Sequence, residues 1–507
     1  ATTGDGRKAG GELNVMGQDL ESFDPHWSSF AQDISVFRMV WRGLLTMDKD
    51  NKPQPAMAAE LPTVSADGKT YTFKLRDGLK WSDGEPLTAV DFEYGLKRTC
   101  NPVHAGNYQY VLTNIVGCDA HYGNLVAETP TFDQALEDAI GVKAVDDTTL
   151  EITLANPQPT FSIIMSLWMT FPAPKHTFTT GTTSELWPTD PVKLAFNGPY
   201  AITEYVEADH ITLVPNANWA APGGISPTLD KLTLKLIDDP AVADNAYRTD
   251  ELDFADVDVT QLETLVAEFG EGKEYFKFLL PSTRGLEMNV ADPVLSNLHM
   301  RLALGQAIDR AELVDVVTQG ANEPSTSWIP QVTSGLELGT YDSILGYDEA
   351  AAKAHLEQAK AELGEIPTIK ILLGDSSVQR AVGEYLQQQF KEALDLTLEL
   401  EVVDSATRSS RFTQEQYQLY WGGWIEDYPD MENWIDGQFN TDGSLNHFNC
   451  AMPELDAKMD AARYNTNEEE RLQLWQEAEK LIIENVCGIA PVWHENNHYL
   501  VKERVVG

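Results

Sequence analysis

Three consecutive segments constrain this chain more than any others. Ile369 to Leu373 is an apolar run, Val378 to Leu394 carries apolar residues at helical spacing, and Leu396 to Val402 is a second strand-like run. A strand, a helix and a strand in so few residues predict a parallel pair joined by a right-handed crossover. Parallel strands are buried on both faces, so the surrounding fold must supply helices to cover them. The chain is therefore expected to be α/β, of the doubly wound kind.

The flanking sequence extends that expectation. Gly285 to Val290 predicts a strand and His299 to Val317 a long amphipathic helix. Glu468 to Asn485 predicts a helix, with Glu468, Glu469 and Glu470 near its positive N-terminus, and Ile489 to Trp493 a returning strand. The earlier part is richer in strands and turns. Leu13 to Met16 predicts a strand and Asp33 to Leu45 a helix. Thr70 to Leu75 alternates as a half-buried strand, and Thr88 caps a helix from Ala89 that turns Val90, Phe92 and Leu96 inward. Residues 141–154 read as a hairpin about Asp146-Asp147. A meander follows at 201–206, 211–215 and 232–237, and residues 240–254 read as helix then strand. The chain's 507 residues exceed what one core can hold, and length alone suggests about three domains. Changes of character near residues 280 and 485 suggest two lobes joined by two crossovers, the last strand returning to the first lobe.

The segment from Tyr417 to Phe439 carries the strongest functional pattern. Tyr417 to Trp421 reads as a buried strand. Gly422 and Gly423 then offer bare backbone, Trp424 a flat apolar face, and Asp427 a carboxylate a fixed distance beyond. A strand edge, a stacking surface and one anchoring carboxylate suit an extended ligand with a positive end, such as a peptide with a free α-amino group.

Charge narrows the partners. With 79 acidic against 36 basic residues the net charge is −43, which excludes the basic footprint of a nucleic-acid binder and disfavours anionic membranes. No run approaches the roughly 18 apolar residues of a membrane span. The opening Ala1 to Gly11 has no apolar signal core and reads as a mature start or trimmed chain with a flexible linker; a removed signal or lipid-anchored cysteine would fit. The four cysteines contain no Cys-x-x-Cys pair, so zinc-knuckle and thioredoxin-type chemistry find no support. Disulfides are expected, with three connectivities open: Cys100–Cys118 is favoured, worth ~3 kcal/mol by loop closure, and Cys450–Cys487 is the weaker pairing.

Catalytic motifs are weak. His494-Glu-Asn-Asn-His498 matches the zinc-protease pattern, which requires a helix. Pro491 and the Asn pair oppose one, so the segment reads as a surface hairpin turning at Asn496-Asn497. Neither a Gly-x-Ser-x-Gly elbow nor a phosphate-binding Gly-rich loop occurs. The expectation is no enzyme, no metal and no cofactor.

The stretch from Ala58-Ala-Glu-Leu-Pro62 through Gly78-Leu-Lys-Trp-Ser-Asp-Gly84 to Asp91 resembles the solute-binding family 5 of ABC importers, the oligopeptide- and dipeptide-binding proteins. So do Ser22-Phe-Asp-Pro-His26, Gly141-Val-Lys-Ala-Val-Asp-Asp147, Asn197-Gly-Pro-Tyr200, Arg301-Leu-Ala-Leu-Gly-Gln-Ala-Ile-Asp-Arg310 and Gly423-Trp-Ile-Glu-Asp-Tyr-Pro-Asp430, in family order. The resemblance implies a two-lobed periplasmic-binding-protein (flytrap) fold with an extra subdomain in the first lobe. The expected boundaries are 1–47, 192–283 and 485–507 for the first lobe, 48–191 for the subdomain and 284–484 for the second lobe. It further implies a monomeric extracytoplasmic protein, in the periplasm or lipid-anchored at the outer face of the cell membrane. Such a protein closes on short peptides and delivers them to an ABC permease with its ATPase subunits.

Carried over by position, Asp427 matches the aspartate that pairs with the ligand's α-ammonium. Gly423 and Ile425 match backbone-pairing positions, Trp424 a cleft aromatic, Ser29 and Ala31 first-lobe backbone contacts, and Tyr108 a subdomain tyrosine. Trp421 stands where an arginine often occurs and Ser29 where a glutamate does. The cation for a ligand carboxylate is thus open among Arg380, Arg408 and Arg411. Alternatives are an oligosaccharide binder stacking sugars on Trp41, Trp168, Trp328, Trp421, Trp424 and Trp434, a zinc peptidase using His494 and His498, and nickel or haem uptake.

Overall fold

A computed structural model describes residues 10–505 except 107, 123–130, 223–225 and 444. The expected N-terminal linker falls, through residue 9, outside the described residues. The chain divides into two compact units. One is Ala1–Asp256 with Leu500–Gly507, the other Val257–Tyr499. The sequence placed the changeovers at 283/284 and 484/485, both inside the second unit. A physical reason is the strand Tyr275–Met288: residues 282 to 288 pair along Leu419–Ile425, which draws the whole strand into that unit.

In the first unit, Glu12–Gly17 lies between Lys231–Leu236 and Phe254–Asp256, parallel to both. His210–Pro215 and Tyr200–Val206 extend this sheet as an antiparallel meander. A separate antiparallel sheet runs Thr63–Val64, Thr70–Lys74, Thr149–Thr153, Val142–Asp146. The helix Ala89–Thr99 starts as expected, the Asp91 carboxylate accepting from the Thr88 N–H at 2.9 Å. Phe92 and Leu96 are buried, but Val90 faces outward, because its position falls on the opposite side of the helix from theirs. The helix near residue 33 runs Ala31–Val40 and stops short of the expected Leu45, since Leu45–Met47 is already a strand. Cys100, at the end of the 89–99 helix, is bonded to Cys118.

In the second unit the expected strand-helix-strand is present. Ile369–Gly374 and Leu398–Val403 pair in parallel from Ile369↔Leu398 to Gly374↔Val403, joined by Ser377–Leu394. Leu419–Ile425 lies next, then Tyr275–Met288, then Ile489–Val501, which belongs to this unit through Tyr499. Trp328, Trp434 and Trp475 pack in one core with Leu286, Leu304, Leu386 and Leu419. Cys450 and Cys487 are bonded to each other within that core.

The second unit departs from the sequence pattern at two points. The long helix from His299 to Val317 is two helices, Leu298–Gln306 and Arg310–Thr318. Asp309 restarts the chain, accepting from the Glu312 N–H at 3.1 Å, and the Arg310 guanidinium is drawn inward to the carbonyls of Pro491 and Leu345. The expected hairpin around Asn496-Asn497 is one continuous 13-residue strand. It is flanked by the 321–324 segment: Glu323 pairs with His494, the Asn496 N–H donates to Asn322 Oδ1 (3.3 Å) and the Asn496 side-chain Nδ2 donates to the Ala321 carbonyl (3.0 Å). Among the described residues, no helix is long and apolar enough to cross a membrane.

Candidate functional site

The strand Leu419–Ile425 is the scaffold. Its register with Tyr275–Met288 runs from Met288↔Leu419 to Ser282↔Ile425. On its other side Ile369–Gly374 pairs only at Leu419 and Tyr420. Beyond Tyr420, the second edge carries no strand neighbour among the described residues. The carbonyl of Gln418 accepts from Asn289 and the N–H of Glu426 donates to Pro281, so even-numbered residues point their backbone groups at the partner strand. Antiparallel pairing alternates, so Trp421, Gly423 and Ile425 point theirs at the open edge.

The two glycines serve the fold. A Cβ on Gly422 would lie 2.3 Å from Glu287 Oε1, and one on Gly423 would lie 2.0 Å from the Thr283 carbonyl oxygen. The close approach that sequence assigned to a ligand backbone is thus made by the neighbouring strand of the same sheet.

The turn after the strand is pinned at several points. Glu426 turns inward, accepting from the Thr333 hydroxyl and from Trp434 Nε1 (3.0 Å), and burial pushes its carboxyl up to about 7. Asp430 caps the helix Met431–Phe439 and is held in a fork by Arg471 at 2.7 and 2.8 Å, while Arg471 also reaches Glu432. Asn433, on the first turn of that helix, organises what remains. Its Oδ1 accepts from Trp424 Nε1 (3.1 Å) and from the Asp427 N–H (2.9 Å), and its Nδ2 donates to Asp427 Oδ2 (3.0 Å). One amide thereby fixes both the ring and the carboxylate. Asn433 was missed from sequence; its place three residues after the Asp430 N-cap was the available signal.

In the first unit, Asp33 organises a second group. Its carboxylate accepts from the Glu21 and Ser22 N–H groups and from the Ser28 hydroxyl (2.6 Å), and burial raises its pKa. This bends the chain so that Ser29 is half-buried and Ala31, at the start of its helix, is exposed. Trp168 Nε1 donates to the Ser28 carbonyl (2.8 Å), and Tyr108 packs edge-on against Trp168 at 4.8 Å. Ser29, Ala31 and Tyr108 therefore belong to one neighbourhood, and Gly423, Trp424, Ile425 and Asp427 to another, each within its own unit.

Other sequence candidates lie elsewhere. Trp421 is buried and packs on Trp493 at 4.9 Å, a core role. Arg411 pairs with Glu401 (2.6 Å), and Arg380 is exposed, bonding the Asp375 carbonyl. Of the six tryptophans proposed to stack sugars, Trp41, Trp168, Trp328, Trp421 and Trp434 are at most 3% exposed, leaving Trp424. His494 Nδ1 meets the Thr283 hydroxyl (2.8 Å). His498 meets Tyr275 (2.7 Å) and the Ala321 carbonyl (3.1 Å). Among the described residues, no group of three or more His, Cys, Asp or Glu side chains is arranged to hold a metal ion.

The sequence profile of bacterial extracellular solute-binding proteins, family 5 (middle), matches residues 52–446. The chain is 28% identical over 494 residues to the oligopeptide-binding protein OppA of Bacillus subtilis strain 168, covering 93% of this chain and 85% of that protein. It is 27% identical over 500 residues to the dipeptide-binding protein DppE of the same organism, covering 96% and 87%. Among solved structures, Listeria monocytogenes OppA bound to peptide superposes with a TM-score of 0.80 at 27% identity, covering 97% of this chain and 94% of that one.

Proposed function

The chain belongs to the bacterial extracellular solute-binding proteins of family 5, and from that premise we propose that it captures short peptides outside the cytoplasmic membrane and delivers them to an ABC permease. It would do so as a non-enzymatic monomer, in the periplasm or lipid-anchored, with residues 48–191 as the extra subdomain of the first lobe. The observation that carries the reading is the pairing of an open strand edge with a fixed carboxylate. Gly423 and Ile425 point backbone groups outward, and Asp427, held by Asn433, stands just past the strand end. An extended peptide adds to such an edge through main-chain hydrogen bonds, which do not depend on its side chains, and its α-ammonium meets the carboxylate. Trp424, Ser29, Ala31 and Tyr108 complete the proposed contact set. The names of the B. subtilis relatives and the Listeria complex support the same ligand class. Burial of five of the six tryptophans removes most of the platform a sugar ligand would need.

Native mass spectrometry of the purified protein, before and after mild denaturation, tests the reading. Released masses forming a series of short peptides are expected, and N-acetylated peptides should fail to rebind. A sugar-spaced series, or equal binding of acetylated peptides, would overturn it.

A further inference from the structure

Two helices of the second unit, Leu298–Gln306 and Glu349–Leu363, meet through a pair of imidazoles that the candidate peptide site does not use. Met300 and Leu304 of the first, with Ala352, Leu356 and Ala359 of the second, lie in the core of that unit. The Asp348 N–H donates to the Gln306 carbonyl at one end (2.9 Å), and Asn297 Nδ2 donates to Glu362 Oε2 at the other (2.6 Å), so the helices run antiparallel. Between these two contacts, His299 Nδ1 stands 2.9 Å from His355 Nδ1, and both residues are half-buried. The ring centres are 5.1 Å apart and the planes differ by 23°. That separation is close to the nitrogen–nitrogen distance plus one ring radius on each side. The two nitrogens therefore face each other in line, in nearly coplanar rings.

A contact of this shape is an N–H···N hydrogen bond, in which one ring donates from Nδ1 and the other accepts on the lone pair of its own Nδ1. One added proton keeps the bond, because the imidazolium still faces a lone pair. A second proton ends it: both nitrogens then carry hydrogen, and two positive charges face each other across 2.9 Å. The surrounding charges are engaged elsewhere. On the helix 349–363, Glu349 is paired with Lys353, Glu357 with Lys360 (2.8 Å), and Glu362 takes the Asn297 amide. On the helix 298–306, the Arg301 guanidinium turns to the carbonyls of Asn485 and Val486, and Glu484 beside them is paired with Lys480. The flanking helices Asp342–Leu345 and Ser377–Leu394 carry Asp342, Arg380, Glu384, Lys391 and Glu392, all exposed. Burial, then the facing His299, holds the His355 pKa below its usual value.

We propose that His299 and His355 form an acid-sensitive latch, which fastens the helix 349–363 to the helix 298–306 at neutral pH and releases it in acid. The latch stands apart from the peptide reading, since no ligand group takes part in it. Its sign follows from the proton count. Once the helices part, both imidazoles take up protons at about pH 6.5, whereas the latched pair readily accepts only one. The open form binds more protons, so opening is favoured as pH falls through about 6.5. At pH 5 a free imidazole is protonated roughly thirty to one, so opening should rise roughly ten- to thirtyfold between pH 7.5 and 5.

Amide hydrogen exchange of the purified full chain, read by mass spectrometry at pH 7.5 and 5 and corrected for the pH dependence of intrinsic exchange, tests the latch on wild type, H299Q and H355Q. In wild type, fragments from 349–363 should lose roughly tenfold or more of their protection in acid, while those from Ser377–Leu394 change by less than about threefold. Each variant leaves one imidazole facing a neutral amide, so the acid loss in 349–363 should drop below about threefold in both. A wild type in which 349–363 loses no more protection than 377–394 would overturn the proposal without recourse to the variants. So would a full acid loss retained in either variant, which is what titration of groups elsewhere in the unit would produce.

Discussion

Replacing Asp427 by asparagine removes a charge and little else. The Asn433 Nδ2 that donates to Asp427 Oδ2 at 3.0 Å would find the new amide oxygen, and the main-chain bond from the 427 N–H to Asn433 Oδ1 (2.9 Å) is untouched. The turn should therefore keep its shape, and stability should change by less than ~0.5 kcal/mol. What is lost is the attraction between a half-buried carboxylate and a ligand ammonium. Unit charges ~4 Å apart at an effective dielectric of ~20 attract by about 4 kcal/mol. Partial solvent exposure and the residual neutral hydrogen bond reduce the expected loss to about 2–3 kcal/mol, or ~30- to 150-fold in Kd. Titration calorimetry at neutral pH, with one tetrapeptide and its N-acetyl form, separates the charge from everything else. Wild type should lose the acetylated ligand, and D427N should bind both forms equally weakly. The reasoning is refuted if D427N binds the free peptide within threefold of wild type, or if wild type does not distinguish the two ligands.

Other outcomes follow from the same geometry. Gly423→Ala places a Cβ 2.0 Å from the Thr283 carbonyl oxygen, a backbone atom that cannot swing aside. It should destabilise the protein by ~1–3 kcal/mol, read as a lower urea midpoint, and an unchanged midpoint would refute the assignment of this glycine to the fold. Glu479 is buried against the Ile329 N–H, and its pKa rises from 4.5 to about 7. Its folded value lies above its unfolded one, so it takes up a proton on folding and stability falls as pH rises from about 4.5 to about 7. Glu479→Gln should flatten that slope, worth about 3 kcal/mol across the window, and a slope unchanged in the variant would assign it to other groups. Reduction of Cys450–Cys487, separated by 37 residues, should cost ~4 kcal/mol by loop closure against ~3 for Cys100–Cys118. Cysteine-to-serine pairs compared by denaturant melts would contradict this if the longer loop mattered less.

The fold was legible where local pattern and tertiary environment agree. Ile369 to Val403 reads as strand, helix, strand because apolar spacing alone dictates which faces must be covered. The sequence failed where a distant partner decides. The Asn496-Asn497 pair resembles a turn until the Asn322 side chain and the Ala321 carbonyl are brought beside it. Val90 seemed apolar enough to be buried, but helical phase turns it to solvent. The glycine pair was read as room for a ligand, since nothing local says that Glu287 and Thr283 already fill that room.

The candidate site divides the same way. Asp427 and Trp424 stand out by spacing, whereas Asn433 does not, because its function is to hold two groups whose proximity exists only after the turn has formed. The arginines make the point most sharply. In sequence, Arg380, Arg408 and Arg411 are equivalent: single cations on predicted helices or loops of an acidic chain. Folding separates them by what neutralises each. Arg380 is left to solvent, Arg411 is answered by Glu401, and Arg408 is set against an aromatic face and a carbonyl beside an acid too buried to ionise at neutral pH. That imbalance is a property of the folded neighbourhood, so no count of charges along the chain could have assigned it to one arginine of the three.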